Sequence, residues 1–290
     1  MVILPESSWP HAAGLWRRAE ELGFDHAWTY DHLAWRGLRD RPWFAAMPTL
    51  TAAAAVTERI RLGPLVASPN FRHPVPFAKE VVALDDISRG RLVLGLGAGG
   101  TGWDATMLGQ DPWSPVERAA RFTELVECMD LVLREPAASY RGAHYVANEA
   151  RTYPGCVQQP RVPFAVAATG PGGMRLAARH AATWVTTGDR TTPPPVAPAV
   201  GAPMIAAQIA RLEDASAAVG RDPASIDRLV LMGAQLDEGL VSEQAFVDTI
   251  GAYEAVGVTD LVVHWPRSEP PYHGDRATFE QVVTSRSRAD

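Results

Sequence analysis

Short unbroken apolar runs recur along the chain, separated by longer stretches in which apolar positions return every three or four residues. The runs at 2–4, 24–30, 60–67, 92–96, 164–168, 183–187, 229–232 and 261–264 predict strands. The periodic stretches at 11–22, 45–57, 75–87, 115–133, 171–181, 204–219, 242–256 and 278–287 predict amphipathic helices. Because the strands are continuously apolar rather than alternating, both of their faces are covered, as in a parallel sheet with outer helices. Eight strand–helix units in succession predict an α/β fold, a single (β/α)8 TIM barrel running over residues 1–290.

Two stretches interrupt this rhythm. Residues 139–147 alternate around Gly142 and predict a small hairpin after the fourth helix. Residues 188–203 hold five prolines, which fix φ and remove amide donors, and so predict an irregular loop over the active face.

Composition narrows the class. At 290 residues and 47% hydrophobic content the chain suits one barrel of roughly 250 residues plus insertions. Two cysteines, Cys128 and Cys156, make neither a disulfide framework nor a Cys-rich zinc site, and a cytoplasmic location is expected. The first residues, Met-Val-Ile-Leu-Pro-Glu, read as a strand rather than a signal peptide, and no apolar stretch is long enough for a membrane span. A net charge of −6 without a basic cluster argues against nucleic acid as a partner.

In such a barrel the chemistry lies where the strands end. The fourth strand dissolves into Gly97, Ala98, Gly99, Gly100 and Gly102, then Trp103 and Asp104. Glycine lets backbone lie against a flat ligand, so a planar cofactor is expected there. The same residues spell Gly-x-Gly-x-x-Gly, but no long helix follows directly and no acidic residue closes a next strand, so the dinucleotide fingerprint is incomplete. Other strand ends supply Tyr30-Asp31-His32, then Ser68 to Pro74 with Asn70 and His73, Thr169-Gly170-Pro171-Gly172-Gly173, Thr187-Gly188-Asp189-Arg190, and His264-Trp265. This set reads as poor in carboxylates. A TIM-barrel metal-dependent hydrolase, built from Asp31, His32, His73 and His264, is therefore the weaker enzyme alternative, and no metal is expected.

The turn from Thr169 to Gly173 enters a helix with proline near its first turn. Free amides at a helix N-terminus favour a phosphate, although Thr169 could equally be a simple cap.

Taken in order, the segments Glu20 to His32, Arg59 to Gly63, Phe71 to Pro74, Leu84 to Leu92 and Gly95 to Gly99 resemble the bacterial luciferase-like superfamily of flavin- and deazaflavin-dependent oxidoreductases. The resemblance implies a TIM barrel binding FMN, reduced FMN or coenzyme F420 in its mouth. It implies a catalytic pair at Asp31 and His32, with the imidazole near the ring. It further implies a strand bulge with a non-prolyl cis peptide near Leu65-Val66, a phosphate loop at Thr169, Gly170, Pro171 and Gly172, and a polar contact from Thr187. Deazaflavin-dependent sugar-phosphate dehydrogenases of this superfamily carry a glutamate where this chain has Gly100, which argues against that reaction and leaves proton transfer to His32, with Asp104 as a second group.

The expected activity is an oxidoreductase or monooxygenase acting on a small, mostly apolar substrate. With FMN it incorporates molecular oxygen and draws reduced flavin from a separate reductase; with F420 it performs plain hydride transfer. The substrate pocket is expected to include Trp35, Asn70, His73, Trp103, Asp104, His264 and Trp265, and the resemblance favours a homodimer. Plainer readings stay open. His32 could brace Asp31, Asp31 reads more readily as structural than as catalytic, His73 could only start a helix, the tryptophans could be packing, His144 could face solvent, and the barrel could bind flavin without catalysis.

Overall fold

The apolar runs become short parallel strands around a common axis, in a computed structural model that describes residues 1–189 and 192–286. In chain order the elements are α1 (Trp9–Glu21), β1 (His26–Thr29), α2 (Ala46–Val56), β2 (Arg61–Pro64), α3 (Pro74–Ile87), β3 (Leu94–Gly97), α4 (Pro115–Arg134), β4 (Ala137–Arg141), β5 (Val146–Arg151), β6 (Phe164–Ala167), α5 (Pro171–His180), β7 (Thr183–Thr186), α6 (Pro198–Ala218), β8 (Asp227–Leu231), α7 (Glu243–Glu254), β9 (Asp260–Val262) and α8 (Arg276–Arg286). β1 pairs with β2, and β3-β6-β7-β8-β9 form a continuous parallel sheet. Bridges from Leu62 to Leu92 and from Ala67 to Leu96 join the two sheets.

Val2 closes the circle by bridging Trp28 on one side and His264 on the other. The expected first strand is thus a single bridging position, which nevertheless completes an eight-stranded (β/α)8 barrel. Arg190 and Thr191, in the proline-rich stretch, and the end of the last predicted helix lie outside the described residues.

The apolar residues divide into two layers. Ala27, Leu62, Leu94, Leu96, Phe164 and Val166 face the helices, where they pack with side chains such as Trp16, Phe77 and Phe122. Val2, Trp28, Tyr30, Leu65, Val93, Ala165, Val185, Leu229 and Val262 fill the barrel interior. This inside–outside alternation explains the continuous apolar pattern, since both faces of each strand are buried. Trp28 is accommodated because Gly63 faces it; a Cβ there would lie 2.7 Å from the indole and 2.0 Å from the Val93 carbonyl oxygen. A Cβ at Gly95 would sit 2.0 Å from the Pro64 carbonyl oxygen.

Polar clamps hold the end at which the strands begin. Glu20 accepts backbone N–H bonds from Glu58, Arg59 and Ile60, at 3.0, 2.6 and 2.9 Å. Buried Asp85 accepts from the amide and carboxamide of Gln158, and Arg91 donates to carbonyls of Ala54, Thr57 and Ile60. The hairpin forms as expected from β4 and β5, its turn fixed by Glu124, which accepts from the amides of Ala143, His144 and Tyr145. His144 is half-buried there rather than open to solvent.

The proline-rich stretch departs from expectation. Residues 198–203 belong to α6, with Pro198 in its first turn, where a missing N–H costs nothing, and Pro203 inside the helix. Ahead of it, Val196 is held by backbone bonds to Gln235 and from Asp237, so tertiary pairing orders a segment that local propensity leaves irregular.

Gly95→Ala should therefore lower stability by about 2 kcal/mol or more, because a backbone oxygen cannot yield as a side chain can; urea unfolding checks this. Burial raises the pKa of Glu20, but the amides of Ile60, Arg59 and Glu58 outweigh it and hold the carboxyl below its ordinary value. The stabilisation is therefore present above the unfolded value of about 4.3 and is lost as pH falls through the lower folded value. Glu20→Gln should cost about 1–2 kcal/mol at pH 7, with the difference from wild type vanishing in acid.

Candidate active site

At the end where the strands finish, His32 follows β1 and Asp104 lies in the loop after β3. The structure pairs them: His32 Nδ1 is hydrogen-bonded to Asp104 Oδ2, and the other Asp104 oxygen accepts the Leu33 amide at 2.6 Å. Asp104 is buried, while His32 is half-buried. The carboxylate favours the tautomer in which Nδ1–H donates, leaving Nε2 as a free acceptor. Trp43 Nε1 donates to the His32 carbonyl at 2.9 Å and fixes the same loop.

Asp31 is not the brace of His32. It is 2% exposed and accepts two bonds from Arg72, at 2.7 and 3.0 Å, so its carboxylate is committed to an ion pair. Arg72 also reaches Glu80 at 2.9 Å and lies over the rings of Phe71 and Phe77. Asp31 is thus paired with Arg72 and not with His32.

The expected ring-contact residues lie around the ends of β2 and β3. The Leu65-Val66 peptide is cis, with Leu65 in the barrel interior and Val66 beside it. A Cβ at Gly97 would come within 2.4 Å of a Val66 methyl, and one at Gly99 within 2.8 Å of the Asn70 carboxamide. Ala98 turns toward the helix layer. Asn70 donates to the Gly100 carbonyl at 3.1 Å, and its Oδ1 is buried without a protein partner. A Cβ at Gly100, Gly170 or Gly172 would meet nothing within 4 Å. An unpaired acceptor beside open, side-chain-free backbone suits a flat ring that carries donors at its edge.

Thr169, Gly170, Pro171 and Gly172 are exposed at the start of α5, whose first turn receives no side-chain cap. Thr169 is thus not a cap. Thr187 is exposed just beyond β7; the buried hydroxyl is that of Thr186, which donates to Gln208 and accepts from the Gly188 amide.

The aromatic residues sort into two groups. Trp35 packs at 5.2 Å from Tyr30 and stacks at 5.8 Å on Trp43 and 6.0 Å on Tyr272, all centroid distances, forming one wall of the mouth. His264 joins this wall, stacked on Tyr272. Trp265 does not. It turns outward onto Phe279 and beneath Arg276, lining a separate cleft of about 370 Å³ with Glu6, Arg41 and Arg267. Alternation along the last strand sends neighbouring side chains to opposite faces. Trp103 sits on the rim beneath Arg39, its Nε1 donating to the Arg36 carbonyl.

His73 is an exposed cap of α3, its Nδ1 accepting from the Val75 amide. Asp31, His32, His73 and His264 therefore have four separate partners. Among the described residues no group of three or more His, Cys, Asp or Glu is placed to hold a metal ion.

Three contributors escaped the sequence reading. Arg72 was passed over beside His73, although a lone cation among apolar residues is a usable signal. Tyr272 lies in the turn after the last strand, where no periodicity marks it. Glu238 follows β8, a strand end that the sequence reading did not count among the candidate ends.

Comparison with known proteins identifies the family. The family model described as luciferase-like monooxygenase matches residues 3–245. An F420-dependent glucose-6-phosphate dehydrogenase from Microbacterium testaceum is 34% identical over 177 residues, 58% of this chain and 50% of that protein. A 5,10-methylenetetrahydromethanopterin reductase from Methanopyrus kandleri is 30% identical over 185 residues, 60% of this chain and 51% of its own. The chain thus spans about half the length of these curated relatives. A solved F420-dependent secondary alcohol dehydrogenase, in complex with an F420-acetone adduct, shares the fold with a TM-score of 0.78 at 17% identity, over 98% of this chain and 96% of its own.

Removing Arg72 would leave the Asp31 carboxylate buried and unpaired. Arg72→Met should cost about 3 kcal/mol or more in chemical denaturation, and Asp31→Asn combined with it should recover part of that loss.

Proposed function

We propose, from the premise that this chain belongs to the luciferase-like monooxygenase family, that it is an oxidoreductase whose barrel mouth binds a flavin-type ring, with coenzyme F420 favoured over FMN. The observation that carries this reading is the His32–Asp104 dyad beside the glycine-lined end of β3. The F420-dependent relatives support the choice of ring. Leu65, Val66, Asn70 and Gly97 to Gly100 would hold the ring, and the open amides at the start of α5 would take the phosphate of its tail. The bound group would supply hydride chemistry.

The chain's own residues perform the remaining work. Asp104 orients the imidazole and favours Nδ1–H, so Nε2 can accept or return a proton at a substrate atom. Asp31 and Arg72 keep the loop in place. Trp35, Trp43 and Tyr272 offer flat apolar surface, which favours a small, mostly apolar substrate and excludes water from the mouth. Gly100 offers no acid, so the glutamate-dependent step of sugar-phosphate oxidation has no counterpart at that position.

Titration of the purified protein with F420, FMN and reduced FMN, followed by absorbance and fluorescence, tests the ring assignment. Saturable F420 binding is expected; tight binding of reduced FMN alone would move the reading to oxygen-dependent monooxygenation served by a reductase. Replacing His32 by Gln should leave ring affinity nearly intact and lower turnover by about 10²-fold or more. Asp104→Asn should give a smaller loss with the same pattern. Unchanged turnover in both variants would remove the dyad from the mechanism.

A further inference from the structure

Beside the His32–Asp104 dyad, with the Tyr30 ring edge-on to His32 at a centroid distance of 6.1 Å, a second imidazole and carboxylate are joined to a phenol. His264, 2% exposed, has Nδ1 3.0 Å from Glu238 Oε1 and Nε2 2.7 Å from the Tyr30 hydroxyl. The same Glu238 oxygen accepts the backbone N–H of His264 at 2.7 Å, so both the ring and the main chain of this residue are fixed by one carboxylate. The close approach requires Gly233, at φ +81°, where a Cβ would lie 2.7 Å from Glu238 Oε1 and 2.8 Å from His264 Nδ1. Tyr272, stacked on the imidazole at a centroid distance of 3.4 Å, covers its outer face.

The direction of the bonds follows from the groups. A carboxylate accepts, so His264 Nδ1 donates to Glu238; Nε2 is then an acceptor, and the Tyr30 hydroxyl donates to it. Burial lowers the pKa of His264, only partly offset by Glu238, and burial raises that of Tyr30 well above 10, so both groups are neutral at pH 7. The Tyr30 oxygen retains accepting capacity. The neighbouring Tyr272 hydroxyl lies 3.3 Å away, longer than a typical O–H···O bond, and a substrate oxygen can replace that contact. At the other end Glu238 is 16% exposed by its side chain, whereas His264 is buried and Tyr30 lies at the wall of the mouth beside Trp35 and Tyr272. The chain therefore leads from the enclosed mouth to a carboxylate in touch with solvent.

We propose that Tyr30, His264 and Glu238 form a proton relay serving a hydroxyl or carbonyl oxygen of the substrate, with Tyr30 as the group that meets it. In the oxidative direction the substrate O–H breaks and its proton goes to the Tyr30 oxygen. Tyr30 gives its own proton to His264 Nε2, and His264 passes the Nδ1 proton to Glu238, which releases it to solvent. Every O–H or N–H bond broken is matched by one formed: Tyr30 and His264 stay neutral, and Glu238 passes from carboxylate to neutral acid and back as the proton leaves, while the hydride of the substrate C–H would be taken by the flavin-type ring of the proposed function. Reduction of a carbonyl runs the same steps backwards. The inference rests on the ring-dependent reading above for its hydride partner, but the hydrogen-bond chain exists without the ring.

Two measurements on the full chain test it separately from that reading. Histidine-selective ¹⁵N NMR of the protein without added ring, with His264→Gln for assignment, should show His264 as the neutral Nδ1–H tautomer at pH 7. Glu238→Gln should abolish that single-tautomer signature, and Tyr30→Phe should shift Nε2 alone. A protonated Nε2 at pH 7 would overturn the relay, whatever ring the barrel takes. With F420 bound, isopropanol and glucose 6-phosphate serve as trial hydride donors. On a donor that wild type turns over, Tyr30→Phe should lower kcat about 10²-fold with ring affinity and KM little changed, and it should abolish any solvent deuterium isotope effect. A kcat within about threefold of wild type would sink the proposal while leaving the ring assignment standing. Failure of F420 and FMN to bind would instead remove the ring-dependent reading. Where neither donor reacts, the tautomer decides the relay.

Discussion

Closure of the barrel rests on a few backbone bonds made by its first residues. The amide of Val2 donates to the Val263 carbonyl, Ile3 to Trp28, Trp28 to Met1 and Trp265 to Val2, so that a segment too short to be a strand of its own stitches β1 to the end of β9. Parallel strands cannot close by hairpins, and an open edge here would expose unpaired amides on both sides. The same stitch sets the chemistry. Tyr30 and His264 stand 234 residues apart in sequence and reach hydrogen-bond distance because Val2 lies between their strands.

Around this closure the two ends of the barrel divide the work. Where the strands begin, Glu20 and Arg91 bind backbone groups, Asp85 binds the amide and carboxamide of Gln158, and buried Arg161 donates to Asp130 and to the carbonyls of Val162 and His180. Such contacts give rigidity and leave little capacity for a ligand. Where the strands finish, the pairs are imidazole with carboxylate, His32 with Asp104 and His264 with Glu238, and the second nitrogen of His264 meets the Tyr30 hydroxyl. The committed pair, Asp31 with Arg72, lies behind them as support. A stiff lower half and a polar upper half are the physical basis on which a barrel can vary its chemistry without losing its fold.

Several motifs that carry the family resemblance are structural. Glu20 caps the entry to β2, Asp85 and Ser88 shape the turn before β3, and Arg72 anchors Asp31. They recur in order along the chain because each clamps a strand to its neighbour. Tyr30, Trp43 and Tyr272 sit in the mouth instead.

Much of the fold was legible in the sequence. Each unit buries both faces of its strand and one face of its helix, and that local demand writes continuous and periodic apolar patterns directly into the chain. The glycines after β3 and before α5 were legible for the same reason, since only glycine leaves such backbone uncovered. The pairing of polar side chains was not. His32 was expected to meet its neighbour Asp31, but the carboxylate it found lies in the loop after β3, while Asp31 turned to Arg72. Trp265 read as a pocket residue and faces the helices, because one step along a strand reverses the side. Glu238 and Tyr272 come from loops without any period. Apolar burial is decided residue by residue along the chain; which charged or aromatic groups meet depends on how eight strands are staggered around the axis, and only closure of the barrel fixes that.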